Sequence, residues 1–203
     1  MFKKIILPLV FLSLTVASSA VEKIALTGKA IPQPDGSLNI IFYKNGTKTG
    51  REVRPTSIAG KAQYIGTIPD GVYRVSFHNS RGYSIVNIAK GKRNGISKSF
   101  FADGKVSEEC FFQDGLASGI CRGWHEDGSP AFAAVYKNGV QDGKIRNYYA
   151  SGKPHTVNVF SDGHPVGESL EYYPSGKLKR KAQYSRDGKL LSSVSYAEDG
   201  KAQ

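Results

Sequence analysis

Two cysteines offer the most specific chemistry in this 203-residue chain. Cys110 and Cys121 lie equally far from residues 115 and 116. If a β-hairpin turns there, pairing Phe112 with Gly119 places Cys110 opposite Cys121 and Glu109 opposite Arg122. Cross-strand Cα separations suit a disulfide. A bridge closing so short a loop stabilises a fold by about 2–3 kcal/mol. The alternative is two free core thiols, since unpaired Cys is often buried. The spacing is not that of zinc ligands, and no Cys or His pair completes a set. His78, His125, His155 and His164 form no motif, so no metal is expected.

The usual catalytic groups are also placed wrongly for chemistry. Ser and Asp recur as turn residues. No Gly-x-Ser-x-Gly stands in a strand–turn–helix setting, and no phosphate-cradling loop ends in Lys-Ser/Thr. Glu108 and Glu109 are adjacent, so on a strand they point to opposite faces and cannot act together as an acid/base couple. These residues argue against an enzyme and imply no cofactor.

The basic residues suggest binding. Lys177, Lys179, Arg180, Lys181, Arg186 and Lys189 cluster near the C-terminus. Lys179 and Lys181 alternate onto one expected face, where an earlier stretch has Ala131 and Ala133. Such a cluster could meet lipid headgroups or lipopolysaccharide, at about 1 kcal/mol per charge near an anionic membrane. Lysines also guard terminal strands against edge-to-edge pairing. Tyr148-Tyr149 and Tyr172-Tyr173 are consecutive, so each pair sends one ring to either side of a sheet. Exposed Tyr can form a binding stripe, and Tyr also simply suits strands. The candidate binding surface is therefore Tyr148, Tyr149, Tyr172, Tyr173, Lys177, Lys179 and Lys181. Tyr with Lys could hold nucleic acid, but export argues against that partner.

The elements that must position these residues are set by a spacing. Asp103-Gly104-Lys105 returns as Asp127-Gly128-Ser129, Ser151-Gly152-Lys153, Ser175-Gly176-Lys177 and Asp199-Gly200-Lys201. The step is 24 residues each time, which marks an array of like supersecondary units. One apolar or aromatic column falls at Tyr64, Ile88, Phe112, Tyr136, Phe160 and Tyr184. A second falls at Phe100, Trp124, Tyr148, Tyr172 and Tyr196. A Gly column at Gly91, Gly115, Gly139 and Gly163 slips by one residue at Gly188. Each unit reads as a β-hairpin, with turn dipeptides at either end of alternating segments such as KVSEECFFQ. Gly interrupts every window long enough for a helix. The expected fold is all-β: an elongated single-layer antiparallel sheet of stacked hairpins with a 24-residue period. The aromatic ladder would supply the core that no single hairpin has.

The N-terminal part reads differently. Lys3 and Lys4, the apolar run Ile5–Val16 and the small residues Ser18-Ser19-Ala20 resemble a secretory leader cut near Ala20. The expected location is therefore exported: periplasm, cell envelope or outside. Loss of the two lysines lowers the formal charge of +11 by two, and the remainder stays basic. Residues 21–35 are irregular and are expected to cap the first edge of the array. Residues 36–203 form the array, degenerate over 36–82 and regular over 83–203. Within the degenerate part, Tyr43-Lys44-Asn45-Gly46 matches Tyr136-Lys137-Asn138-Gly139, and residues 51–63 break the pattern as an insertion or irregular strand.

Tyr172-Tyr173-Pro174-Ser175-Gly176-Lys177-Leu178-Lys179, followed by Tyr184, resembles the MORN repeat variant of bacterial proteins, many of them labelled YwqK-family antitoxins. Tyr148–Lys153 and Phe100–Val106 carry the pattern more weakly, and Trp124–Pro130 is the most divergent copy. The resemblance implies an elongated hairpin sheet used for binding or assembly. The combined reading is an exported, non-enzymatic repeat protein that binds a protein partner through its sheet face. The alternatives are a binder of the anionic envelope surface through the basic C-terminal repeat, and an immunity or antitoxin-like protein.

Overall fold

The computed structural model describes residues 26–55, 61–78 and 80–203. The expected leader (1–20), the first five residues of the expected cap (21–25) and residues 56–60 of the 51–63 break lie outside the described residues. The chain opens with β1 (Leu26–Pro32), β2 (Leu38–Lys44), β3 (Thr47–Arg54) and β4 (Gln63–Gly66). Next come β5 (Gly71–Phe77), β6 (Tyr83–Ala89), β7 (Lys92–Arg93), β8 (Gly95–Phe100) and β9 (Val106–Gln113). The regular part continues with β10 (Leu116–Ala117), β11 (Gly119–Trp124), β12 (Pro130–Lys137), β13 (Val140–Gln141), β14 (Gly143–Tyr148) and β15 (Pro154–Ser161). It ends with β16 (His164–Pro165), β17 (Gly167–Tyr172), β18 (Leu178–Tyr184) and β19 (Leu190–Ser195). The described residues include no helix.

Two turn types alternate, and their chemistry explains the period. Asn45-Gly46, Lys90-Gly91, Asp114-Gly115, Asn138-Gly139 and Asp162-Gly163 have positive φ at both residues, the signature of a type I′ hairpin turn. The second type is closed by a pair of backbone bonds. Tyr173 N–H donates to Lys177 and Gly176 N–H donates to Tyr173, and the same pair recurs at 101–105, 125–129, 149–153 and 197–201. The slip at Gly188 is a change of turn type: Ser185–Lys189 makes this second pair of bonds where earlier units have the tighter turn.

The regular units pair in series through β6, β8, β9, β11, β12, β14, β15, β17, β18 and β19, all antiparallel. Bulges recur at Ser99/Phe100, Gly123/Trp124, Asn147/Tyr148 and Glu171/Tyr172. A bulge bends its strand and increases twist, so a repeated bulge coils the sheet and makes its two faces unequal. Cys110, Phe112, Cys121, Ala134, Tyr136, Ile145 and Ala182 are buried on the inner face. A single layer thus acquires a core without a second sheet.

The N-terminal part departs from the expected cap. β1 does not cover an edge: it lies inside the sheet, antiparallel to β2 and parallel to β5. The edge is β4, paired to β3. The sheet is therefore mixed at one pairing and antiparallel elsewhere. Only residues 67–70 connect β4 to β5, although three strands separate them in the sheet. Strand spacings of about 4.8 Å make that gap about 19 Å across a flat sheet, so so short a connection favours a rolled one. The contacts agree. Ile68 in the connection is buried with Ala30, Ile40, Phe42, Tyr73, Val75, Val86 and Ile88. Gly50 on β3 admits Ile68, whose Cγ1 would lie 2.8 Å from an added Cβ. Tyr64 is not a member of the aromatic column. It sits on β4 and crosses the roll to reach Gly115, whose added Cβ would stand 2.9 Å from the ring.

Candidate functional site

Cys110 and Cys121 form the disulfide, with a Cα–Cα distance of 4.2 Å. Arg122 stands opposite Glu109, as the hairpin pairing requires. Phe112 differs: it faces Ala117, because Ser118 N–H donates to Phe111 and Gly119 starts a new ladder with β12. Glu108 and Glu109 do point to opposite faces. Glu109 pairs with Lys98 at 2.8 Å on the outer face, and Glu108 turns inward.

The tyrosines and lysines of the candidate surface are in part tied into the array. Tyr149 O–H donates to the Tyr172 carbonyl at 2.7 Å, and Tyr173 O–H to the Tyr196 carbonyl at 2.9 Å. Each bond joins one unit to the next. Tyr148 and Tyr172 are half-buried. Lys153 and Lys177 likewise reach the next turn, at the carbonyls of Ser175 and Glu198. Lys179 pairs with Glu171 at 2.7 Å and Lys181 with Glu168 at 2.5 Å. Glu168 and Glu171 are three apart on β17 and so on opposite faces. The bulge before Arg180 thus breaks the shared face expected for Lys179 and Lys181.

A second cluster had no local motif. Glu52 on β3 is fully buried, and its carboxylate accepts from Arg93 Nε at 2.8 Å and Arg54 Nε at 2.7 Å. Both guanidinium groups lie over the Phe112 ring, at 5.2 Å for Arg54 and 5.4 Å for Arg93. Tyr64 O–H reaches Glu52 Oε1 at 3.5 Å and accepts from Arg93 N–H at 3.4 Å. Burial pushes the Glu52 carboxyl up, but Arg93 and Arg54 outweigh it and hold it below the usual range. Burial, then the Arg54 charge, pulls Arg93 down; an arginine starts so high that it stays charged. Burial and Glu52 push the Tyr64 phenol up to about 12. The signal in the sequence is Arg93 itself, a cation where later units have Ala117 and Gln141.

Where the roll meets the array, the end of β3 overhangs the inner face and a half-open cavity of about 470 Å³ lies beneath it. Its apolar lining includes the disulfide, Phe112, Phe132, Ala134, Tyr136 and Ile145, and its polar lining Arg54, Glu108, Gln141 and Asn147. Desolvation by the surrounding walls pushes the Glu108 carboxyl up despite Arg54 and Arg93, although the residue as a whole is exposed to solvent. Its Oε1 lies 3.4 Å from Cys110 Sγ. A bridged sulfur has no proton to give, so only a protonated carboxyl can make that contact a hydrogen bond. Among the described residues, no group of three or more His, Cys, Asp and Glu could hold a metal ion.

The outer face carries a different feature. Ile96 faces Phe111, and Ile120 faces Val135. The register that sets Arg122 against Glu109 brings Ile120 beside Phe111. The result is an apolar row over β8, β9, β11 and β12, with Ile96, Phe111 and Ile120 exposed by 47%, 42% and 47%. Beside it runs Lys98, Glu109, Arg122, Ala133 and Arg146.

With this geometry in view, residues 93–114 and 165–186 match the model of the MORN repeat variant. The two matches start three 24-residue periods apart, in the same phase of the hairpin. These two segments are similar to the MORN repeat variant. Each matched MORN segment takes in the six-residue strand, the wider turn and the following long strand. No curated protein matches the chain. Among solved structures, a mutant of S. aureus TarM in complex with Fondaparinux, alpha-GlcNAc-glycerol and UDP is 13% identical. That match covers 68% of this chain and 21% of the other, with a TM-score of 0.19. A structure of TarM gives 14% identity, 67% and 21% coverage and a TM-score of 0.18. The chain thus spans about a fifth of those proteins, and likeness at this level carries no argument about activity.

Proposed function

We propose that this is an exported, non-enzymatic repeat protein that binds a protein partner through the outer face of its sheet. The observation that carries the reading is the row Ile96, Phe111, Ile120 and Val135 beside charged Lys98, Glu109, Arg122 and Arg146. An apolar strip with a polar flank is the anatomy of a protein interface. Exposed apolar side chains in a contiguous group mark interaction surfaces more often than isolated ones do. The leader-like start of the sequence supports export, and the Cys110–Cys121 bridge is compatible with an oxidising compartment.

Tyr148, Tyr149, Tyr172, Tyr173, Lys177 and Lys181 are proposed as flanking contacts of the same partner; Lys179, paired with Glu171 on the face opposite Lys181, is not one of them. The pairing of Lys179 with Glu171 and Lys181 with Glu168 favours a protein over an anionic envelope surface, because those charges are already neutralised in part. An immunity-like role is the form this reading takes if the partner is an exported toxin. Mature protein should capture a saturable partner from envelope extract, and Phe111→Asp should weaken that capture at least tenfold. Sedimentation with anionic vesicles that falls steeply with salt, and no such partner, would instead favour the envelope surface.

A further inference from the structure

The cavity between β3 and the inner face lies on the opposite side of the sheet from the proposed protein contact. Its volume of about 470 Å³ falls in the range of small-molecule sites. Most of its wall is apolar: the disulfide, Phe112, Phe132, Ala134, Tyr136 and Ile145. Its polar wall holds one guanidinium, Arg54, and one carboxyl, Glu108. Two guanidinium groups share the single buried carboxylate of Glu52, and Arg54 keeps 31% of its side chain exposed. Arg54 binds Glu52 through Nε while its guanidinium lines the cavity. Glu108 stands on the same wall without an ion pair to either arginine, its carboxyl against a sulfur that can only accept. A cation and a carboxyl group therefore face one apolar chamber.

We propose that this cavity binds one small apolar carboxylic acid, with the carboxylate on Arg54 and Glu108 and the hydrocarbon against Phe112, Ala134, Tyr136 and Ile145. A planar guanidinium matches a carboxylate, and the bound acid and Glu108 share one proton between their carboxyl groups. An amine would meet Arg54 head-on. An uncharged chain of the same length would give Arg54 no second anion beside Glu52.

The test titrates full-length mature protein, by calorimetry or native mass spectrometry, with dodecanoate below its micelle concentration and with dodecanol. One dodecanoate per chain should bind, at least tenfold tighter than dodecanol. Arg54→Gln should erase that preference; Glu52 keeps Arg93 as its partner in this variant, so the roll should survive. Ala134→Phe should fill the chamber and lose both ligands while Arg54 stays. Glu108→Gln keeps a donor and should keep the binding. The proposal is overturned by no binding, by several weak sites, by equal affinity for the alcohol, or by dodecanoate binding that survives Arg54→Gln or Ala134→Phe. Tighter binding of N-acetyl-leucyl-phenylalanine than of dodecanoate would assign the chamber to a peptide C-terminus and overturn the small-acid assignment. None of these readouts involves Phe111, so the site and the outer-face contact stand or fall separately.

Discussion

Glu52 is buried with both oxygens engaged by arginines from two separate strands, β3 and β7. Its folded pKa is depressed, because Arg93 and Arg54 outweigh the effect of burial. The stability it contributes is therefore fully present above the unfolded glutamate value of about 4.3. That stability is lost as pH falls through the folded value. Glu52→Gln should cost about 3–5 kcal/mol at neutral pH in urea unfolding, since it leaves buried Arg93 without its carboxylate. The variant should also lose much of the wild-type acid dependence below pH of about 4.3. An unchanged midpoint would mean the roll is held by its apolar core alone. Glu108 has the opposite sign. Burial raises its folded pKa, so its contribution is present below the unfolded value and lost as pH rises through the folded one. Glu108→Gln should melt higher than wild type at neutral pH, and the two curves should converge in acid. A lower melting point at neutral pH would show that Glu108 serves Arg54 as an ion-pair partner.

At the scale of elements, glycines separate turn strain from packing. Gly104 and Gly115 have nearly equal φ, 88° and 85°, so alanine strains both backbones alike. An added Cβ at Gly104 meets nothing within 4 Å, whereas at Gly115 it meets the Tyr64 ring at 2.9 Å. Gly115→Ala should therefore destabilise more than Gly104→Ala by equilibrium unfolding, and equal losses would deny that β4 crosses onto the array. The hairpin period, the turns and the disulfide were legible because each depends on residues close in sequence. Asn138-Gly139 encodes its turn by itself, and Cys110 and Cys121 sit at matched distances from one. The parallel β1–β5 pairing was not legible, because nothing in Thr27–Ala30 distinguishes an interior strand from an edge. The bulge before Arg180 was missed for a related reason. It shifts side-chain parity by one residue, and simple alternation then assigns Lys179 and Lys181 to one face.

For the whole molecule, the array is a series of units that contact mainly their neighbours. Burial is deep around β5, β6 and β9 and absent at β19, where every residue is exposed. Hydrogen exchange should therefore be slowest in β5, β6 and β9 and fastest in β19, as local stability follows buried apolar contact. Uniform protection would indicate a more cooperative sheet than stacked hairpins allow. The Glu52, Arg54 and Arg93 cluster belongs to this scale: its members are remote in sequence, and only the roll unites them. Arg93 stood out in its column, but the identity of its partner required the fold. The outer row was likewise hidden, since Ile96, Phe111, Ile120 and Val135 become one surface only through the register of four strands. The central claim is that this row meets a protein. Its most direct measurement is saturable capture of a partner from envelope extract by mature wild-type protein, Phe111→Asp and Leu191→Asp in parallel. The account predicts one partner held by wild type and Leu191→Asp and released at least tenfold more readily by Phe111→Asp. Equal capture by all three, or none by wild type, would contradict it.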